Sequence, residues 1–416
     1  MTRTAASFLM AAPAALTAVL MAAAPPAAWT DRGEYDLVLA VHTEPAPDKR
    51  LALLDQWKEK YPQSGLRQVR RELYLLAYQS TGAAPRMLEV AREMLAEEPG
   101  NLSGLYWVTL LVPGAKEPAP ALLDEGDKAA RRLLSGLNGY FGPDRKPASL
   151  NPAAWQKQKG STELLARRTT AWIAWQRGTL DAAERELTAS LERFPNEAET
   201  SSWLGTVLAL QQKLPEKQVA SLWHLARAAA LEGPGALPDP RRKELGETLE
   251  RIYTAYHGAT DGLDALRTAA AASPVPPAGF NVENAAAVAI RKQQEELERT
   301  NPQLAAWLRI RKQLEAPEGE KYFAETLRIA PLPKLKGSLI RGTPDAQPDE
   351  LVVGVSDPAV EEIVLKLDSP YAFPAEAGTP LEFEGTPSAF TREPFRLTLA
   401  VSRDKVEGWP ARKPGK

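Results

Sequence analysis

Residues 169–210 read TTAWIAWQRGTLDAAERELTASLERFPNEAETSSWLGTVLAL, and this stretch decides the fold of the first two thirds of the chain. Ala, Leu and Trp recur at helical spacing up to Trp175, and Arg177-Gly178-Thr179 then gives a turn. A second helical segment runs to Phe194. Pro195 cannot continue it, because proline lacks the amide proton and collides with the preceding turn. A third segment opens around Trp203. Helix, tight turn, helix, proline, helix is the grammar of stacked helical hairpins.

The same ending appears twice upstream. Pro62 follows Arg50-x3-Leu54, Pro99 follows Met87-x3-Ala91, and Pro195 follows Ala183-x3-Leu187, each twelve residues after the first residue named. Each segment is preceded by a turn signal: Glu44-Pro45 with Pro47, Thr81-Gly82, or Arg177-Gly178-Thr179. Ala183, Pro195 and the pair Leu204-Gly205 followed by Leu208 resemble the tetratricopeptide (TPR) pattern, in which a small residue lets two helices of a hairpin approach. Ser201 and Leu208 stand where that pattern has Trp and Tyr, and Arg50 and Met87 where it has a small Ala. The resemblance covers about residues 31–233 and implies a repeat array that binds a protein or peptide. A non-repetitive α/α bundle is the alternative. The stretch from Pro113 to Lys159, with KEPAPA, FGPDRKP and SLNP, is expected to interrupt the array.

Residues 240–315 stay helical in pattern, with Gly258 as a stop, SPVPPAGFN as a linker, Asn281 or Asn284 as a cap, and Asn301-Pro302 as a break. From Leu335 the period changes to two. LKGSLIRG, ELVVGVS, EIVLKLD, TPLEFEG and FRLTLAVS alternate apolar and polar positions. Five short strands with one apolar face must close on themselves or on another layer, so the expected fold is α+β and multidomain. It consists of irregular TPR-like helical repeats followed by a small five-stranded all-β barrel, similar to an OB-fold. A small β-sandwich is the alternative. The expected domains are a signal peptide at 1–28, TPR-like repeats at 29–233, a further helical region at 234–332, the β domain at 333–409 and a tail at 410–416.

Arg3 followed by an apolar run from Ala5 to Ala24 is the pattern of an export signal. Cleavage is expected between Ala22 and Thr30, with an uncleaved anchor as the alternative, and no later stretch is long and apolar enough to span a bilayer. The mature protein is thus expected in the periplasm or secreted. The chain has 416 residues, 51 Lys plus Arg and 53 Asp plus Glu, so its net charge of −2 lacks the basic surplus of a nucleic-acid binder. From Lys334 to Ser402 there are six basic and eleven acidic side chains, which disfavours nucleic acid at the β domain in particular. With no cysteine there is no disulfide, thiolate metal site or Cys nucleophile. Three histidines, His42, His224 and His257, have no partner at metal-ligand spacing. His42 falls in a loop-like segment, and no nucleotide, hydrolase or metalloprotease motif occurs. No catalytic residue, metal or cofactor is therefore assigned.

The candidate partner-binding residues are Arg168, Trp172, Trp175, Trp203 and Phe390. Spacings of four and three place Arg168, Trp172 and Trp175 on one helix face, which repeat arrays of this type turn inward. They form either an aromatic, cationic groove or part of the inter-repeat core. Phe390, in the loop GTPSAFTREPF, is either a contact residue or a plug of the barrel, whereas Phe395 is core by alternation. The resulting expectation is a non-catalytic scaffold for a protein or peptide partner in the envelope. An envelope enzyme acting on glycan or peptide, and a structural envelope component, are the alternatives.

Overall fold

The computed structural model describes residues 29–410 except Gln212; the export signal expected at 1–28 lies outside the described residues. It forms two compact units, one ending at Val282 and the other beginning at Glu283.

The first unit holds twelve α-helices among the described residues. They are α1 Arg32–Thr43, α2 Pro47–Lys60, α3 Arg67–Ser80, α4 Ala84–Glu97, α5 Leu102–Leu111, α6 Pro120–Tyr140, α7 Pro152–Gln176, α8 Leu180–Arg193, α9 Ala198–Leu210, α10 Pro215–Ala230, α11 Asp239–His257 and α12 Leu263–Ala272. The three prolines act as their chemistry requires: α2, α4 and α8 each end two residues before Pro62, Pro99 and Pro195. The turns before them are the connectors 44–46, 81–83 and 177–179, with Gly82 and Gly178 at positive φ.

The helices stack as consecutive pairs in two layers. First helices of successive pairs touch: Ser103 on α5 donates to Glu72 on α3 at 2.9 Å, and Thr169 on α7 donates to the Thr109 carbonyl on α5 at 3.0 Å. Second helices are stitched by charge: Lys58 on α2 to Glu93 on α4, Arg92 on α4 bidentate to Glu125 on α6, and Lys217 on α10 to Glu184 on α8. Gly205 shows why the hairpin α9–α10 needs a small residue. A Cβ there would sit 2.8 Å from Leu225 Cγ and 3.0 Å from the Leu225 backbone nitrogen.

Two expectations are corrected. The stretch from Pro113 to Lys159 does not interrupt the array; it contains the 21-residue helix α6, the second helix of the third pair. KEPAPA runs into the first turn of α6, and FGPDRKP and SLNP follow its end, so the prolines flank the helix; Gly126 is where α6 closes on Val112, with only 2.8 Å left for a Cβ. His42 lies in the last turn of α1, its Nδ1 2.9 Å from the Val38 carbonyl, rather than in a loop.

The second unit begins with α13 Ala285–Thr300, α14 Pro302–Glu315 and the short α15 Gly319–Tyr322. Asn284 caps α13 and Asn301 caps α14 through their side-chain oxygens. Seven strands follow: β1 Leu335–Thr343, β2 Glu350–Gly354, β3 Ile363–Leu367, β4 Pro380–Phe383, β5 Thr386–Arg392, β6 Phe395–Val401 and β7 Val406–Glu407. Their order is β5-β6-β3-β2-β1-β4-β7, antiparallel except for the parallel pair β3–β6.

The expected small five-stranded barrel is therefore corrected to an open mixed sheet of seven strands. β4 and β5 are joined by only Glu384 and Gly385 yet occupy distant places in the order, so the sheet is strongly curled. Among the described residues no ladder pairs β5 with β4 or β7, and the curl stays open. Its apolar face carries Leu339, Leu351, Val353, Ile363, Leu365, Leu381, Phe383, Leu397 and Leu399. Trp307, Ile310 and Leu314 of α14 complete that core.

No helix among the described residues is long and apolar enough to cross a membrane.

Candidate functional site

The residues singled out in the helical unit sit on α7 and α9. Asn151 starts α7 by accepting from the Ala154 amide at 2.8 Å, and Gly178, at φ 75°, ends it. Between these fixed ends Arg168, Trp172 and Trp175 do share one side. Trp172 is 7% exposed and Trp203 8% exposed, and both belong to the continuous apolar core of the array. Trp175 is half-buried against that core. The reason is local: α5 is buried from Ser103 to Thr109, and α9 from Ala198 to Leu208 except at Glu199 and Thr206. A helix that is apolar all round is packed all round. Side chains accordingly fill the space between first helices.

Arg168 is the polar exception. Its guanidinium carbon stands 5.4 Å from the centroid of the Trp203 ring, within cation–π range. Its Nε is buried without a hydrogen-bond partner, and the guanidinium makes no hydrogen bond or ion pair among the described residues. Burial pulls its pKa below the ordinary arginine value, while the more distant Glu199 and Glu197 carboxylates oppose that shift. Burial in turn raises the Glu197 carboxyl against the attraction of Arg168. Glu199 has a partner, since it accepts from the Trp203 indole N–H at 2.8 Å.

A shallow depression of about 780 Å³ lies where the α7–α8 and α9–α10 turns meet. Leu210 and Leu214, 46% and 43% exposed, face solvent there beside Leu180, with Asp181, Arg185 and Lys213 at its rim. The sequence carried a usable signal for this feature: apolar residues on both sides of a turn that has no core to enter.

In the second unit Phe390 is half-buried, its ring 5.1 Å from that of Phe323. Phe395 is core, 6.0 Å from Trp307. His224 is buried on α10, where burial and the neighbouring Arg227 push its pKa down to about 4. His257 is buried at the end of α11 with Nε2 3.2 Å from Asp261. Among the described residues no group of three or more His, Asp or Glu is placed to hold a metal ion.

Three carboxylates are buried among the described residues, those of Glu34, Glu72 and Glu362, and the environments of the last two differ. Glu362, 1% exposed, accepts from the amides of Val355 and Ser356 at 2.7 and 2.6 Å, from the Ser356 hydroxyl and from Arg311 at 2.7 Å. Burial alone would raise its pKa; the donors from Ser356 and Val355 hold it below the ordinary value. Glu72 has Ser103 as its partner, and burial raises it to about 7. Both are distant in sequence from Arg168, and neither shares its surroundings.

Compared with known proteins, the chain matches no family model, no curated protein and no solved structure.

Proposed function

We propose that the chain is an exported, non-catalytic interaction scaffold whose helical array, of tetratricopeptide type, grips a protein or peptide partner in the envelope. The observation that carries this reading is Arg168: a half-buried cation over Trp203 with no hydrogen bond or ion pair among the described residues. A buried charge without a counterpart is expensive, so a group that accepts from it has a large incentive to bind. Trp175 borders it on the same side of α7, with Trp172 and Trp203 as the packed support behind. The exposed Leu210 and Leu214 extend the apolar surface at the neighbouring turns. Phe390 and its surroundings on the β unit serve as a second contact. Residues 1–28 act as the cleaved leader that takes the chain there.

The reading is tested by capturing partners from envelope extract with the wild-type chain and with the variants Arg168→Gln and Trp175→Ala, followed by mass spectrometry. Trp172→Ala separates binding from packing. Truncating a buried Trp costs about 3–5 kcal/mol of stability. The half-buried Trp175 should cost about 1 kcal/mol, yet its loss should weaken capture, since Trp and Arg dominate interface energetics. An identical set of proteins captured by wild type and both variants overturns the proposal.

A further inference from the structure

The connector between α6 and α7, residues 141–151, folds back on the first turns of α7 and encloses a concavity of about 480 Å³. That size suits a small ligand rather than a polypeptide. Its floor is apolar and rigid. Phe141 and Trp155 pack with ring centroids 4.8 Å apart, the Trp155 indole N–H donates to the Phe141 carbonyl at 3.1 Å, and Pro143 and Pro152 close the sides.

Two half-buried lysines, Lys146 and Lys159, line the same concavity, and no Asp or Glu does. Lys146 Nζ donates to the carbonyls of Pro147 and Leu150 at 3.1 and 2.7 Å, and Lys159 Nζ donates to Asn138 Oδ1 at 2.7 Å. An ammonium has three donors. One on Lys146 and two on Lys159 are thus left without an acceptor among the described residues, and neither lysine forms an ion pair among them. From residue 138 to 160 there are four basic side chains and one acidic, in a chain whose net charge is −2. Elsewhere half-buried cations such as Arg71 and Lys217 have carboxylates beside them.

We infer that this concavity is a binding site for a small phosphomonoester carried on an apolar body. A phosphate dianion matches two ammonium charges and offers three acceptor oxygens to three open donors. A carboxylate would leave one charge uncompensated. The apolar body rests on the floor of Phe141, Pro143, Pro152 and Trp155. This site is separate from Arg168, so its test is independent of the scaffold reading.

The full chain, with its tryptophan indoles labelled with ¹⁵N, is titrated with phenyl phosphate, with inorganic phosphate and with phenol, and followed by calorimetry and by NMR. Phenyl phosphate should bind with Kd below about 1 mM, about tenfold tighter than inorganic phosphate, and phenol should show no saturable binding. The Trp155 indole resonance should move on binding. Lys159→Gln should weaken phenyl phosphate binding about tenfold with an unchanged melting temperature, because it removes charge and leaves the floor intact. Lys146→Gln should do the same, and if it disturbs the connector, the Lys159 variant and the wild-type indole shift decide. Absence of saturable binding up to about 10 mM phenyl phosphate overturns the proposal. So does undiminished affinity in a folded Lys159→Gln chain.

Discussion

Glu72 makes the stability of the helical unit depend on pH in an unusual direction. Its side chain is 6% exposed on α3, and it accepts from the Ser103 hydroxyl at 2.9 Å; it forms no ion pair among the described residues. Burial raises its pKa from the ordinary 4.5 to about 7. Between these two values the unfolded chain has already released the proton and the folded chain still holds it. Stability is therefore full below pH 4.5, declines as pH rises through that window, and settles at its lower value above pH 7. The gap of about 2.5 pH units, at about 1.4 kcal/mol each, amounts to about 3 kcal/mol.

Glu72→Gln removes the ionisation and keeps the shape and an acceptor for Ser103. The variant should match the wild type at pH 4.5 and exceed it by about 2–3 kcal/mol at pH 8. For a unit of this size that corresponds to a rise in melting temperature of roughly 5–10 °C. Thermal and urea unfolding of both proteins at half-unit steps from pH 4.5 to 8, followed by circular dichroism at 222 nm, measure the difference. Parallel pH profiles, or a variant less stable than wild type at pH 8, would refute the reasoning, because they would mean that the folded state compensates the Glu72 charge.

Three further outcomes follow from packing and charge. A fragment spanning 283–410 should fold, whereas 333–410 should not, since Trp307 and Leu314 of α14 are fully buried in the sheet's core; circular dichroism and melts of the two fragments decide it. Glu362→Ala should cost about 3 kcal/mol in urea unfolding, because the amides of Val355 and Ser356 and the Arg311 guanidinium lose their acceptor; in the wild type that contribution is lost as pH falls through the depressed pKa of Glu362. Gly205→Ala should destabilise by about 1–3 kcal/mol despite a helix-propensity gain of about 1 kcal/mol, because the new methyl meets the Leu225 backbone as well as its side chain; a more stable variant would show that α9 and α10 can separate.

Much of the helical layout was legible because its punctuation is chemical. Proline cannot continue a helix past its first turn, and Pro62, Pro99 and Pro195 follow their helices at the same offset. Gly178 and Gly258 supply the positive φ that a turn or helix stop needs. Helix α6 was missed because the proline-bearing KEPAPA, FGPDRKP and SLNP around it read as breaks, although they lie at helix ends. β5 was missed for a related reason. It is an edge strand, bonded on one side only, with Pro387 and a bulge near Ser388, so its burial does not alternate as an inner strand's does. β7 has two residues, too few to display any period.

The limits at the candidate sites have another origin. Spacing puts Arg168, Trp172 and Trp175 on one side of α7, but it does not say what lies opposite, and that depends on pairs such as Thr169 with Thr109, sixty residues away. Helices such as α5 and α9 are buried round nearly their whole circumference, and a single-helix pattern cannot separate a groove wall from a buried wall. Closure of the sheet has the same character. Alternation assigns faces to β1, β3 and β6, whereas register and strand order decide whether the curl meets itself, and here a two-residue link turns it without a closing ladder. What sets Arg168, Lys146 and Lys159 apart is that none of them forms an ion pair among the described residues, although Glu199 and Glu197 act on Arg168 from farther off. Three-dimensional placement, not the order of charges along the sequence, reveals which cations are left to seek a partner outside the chain.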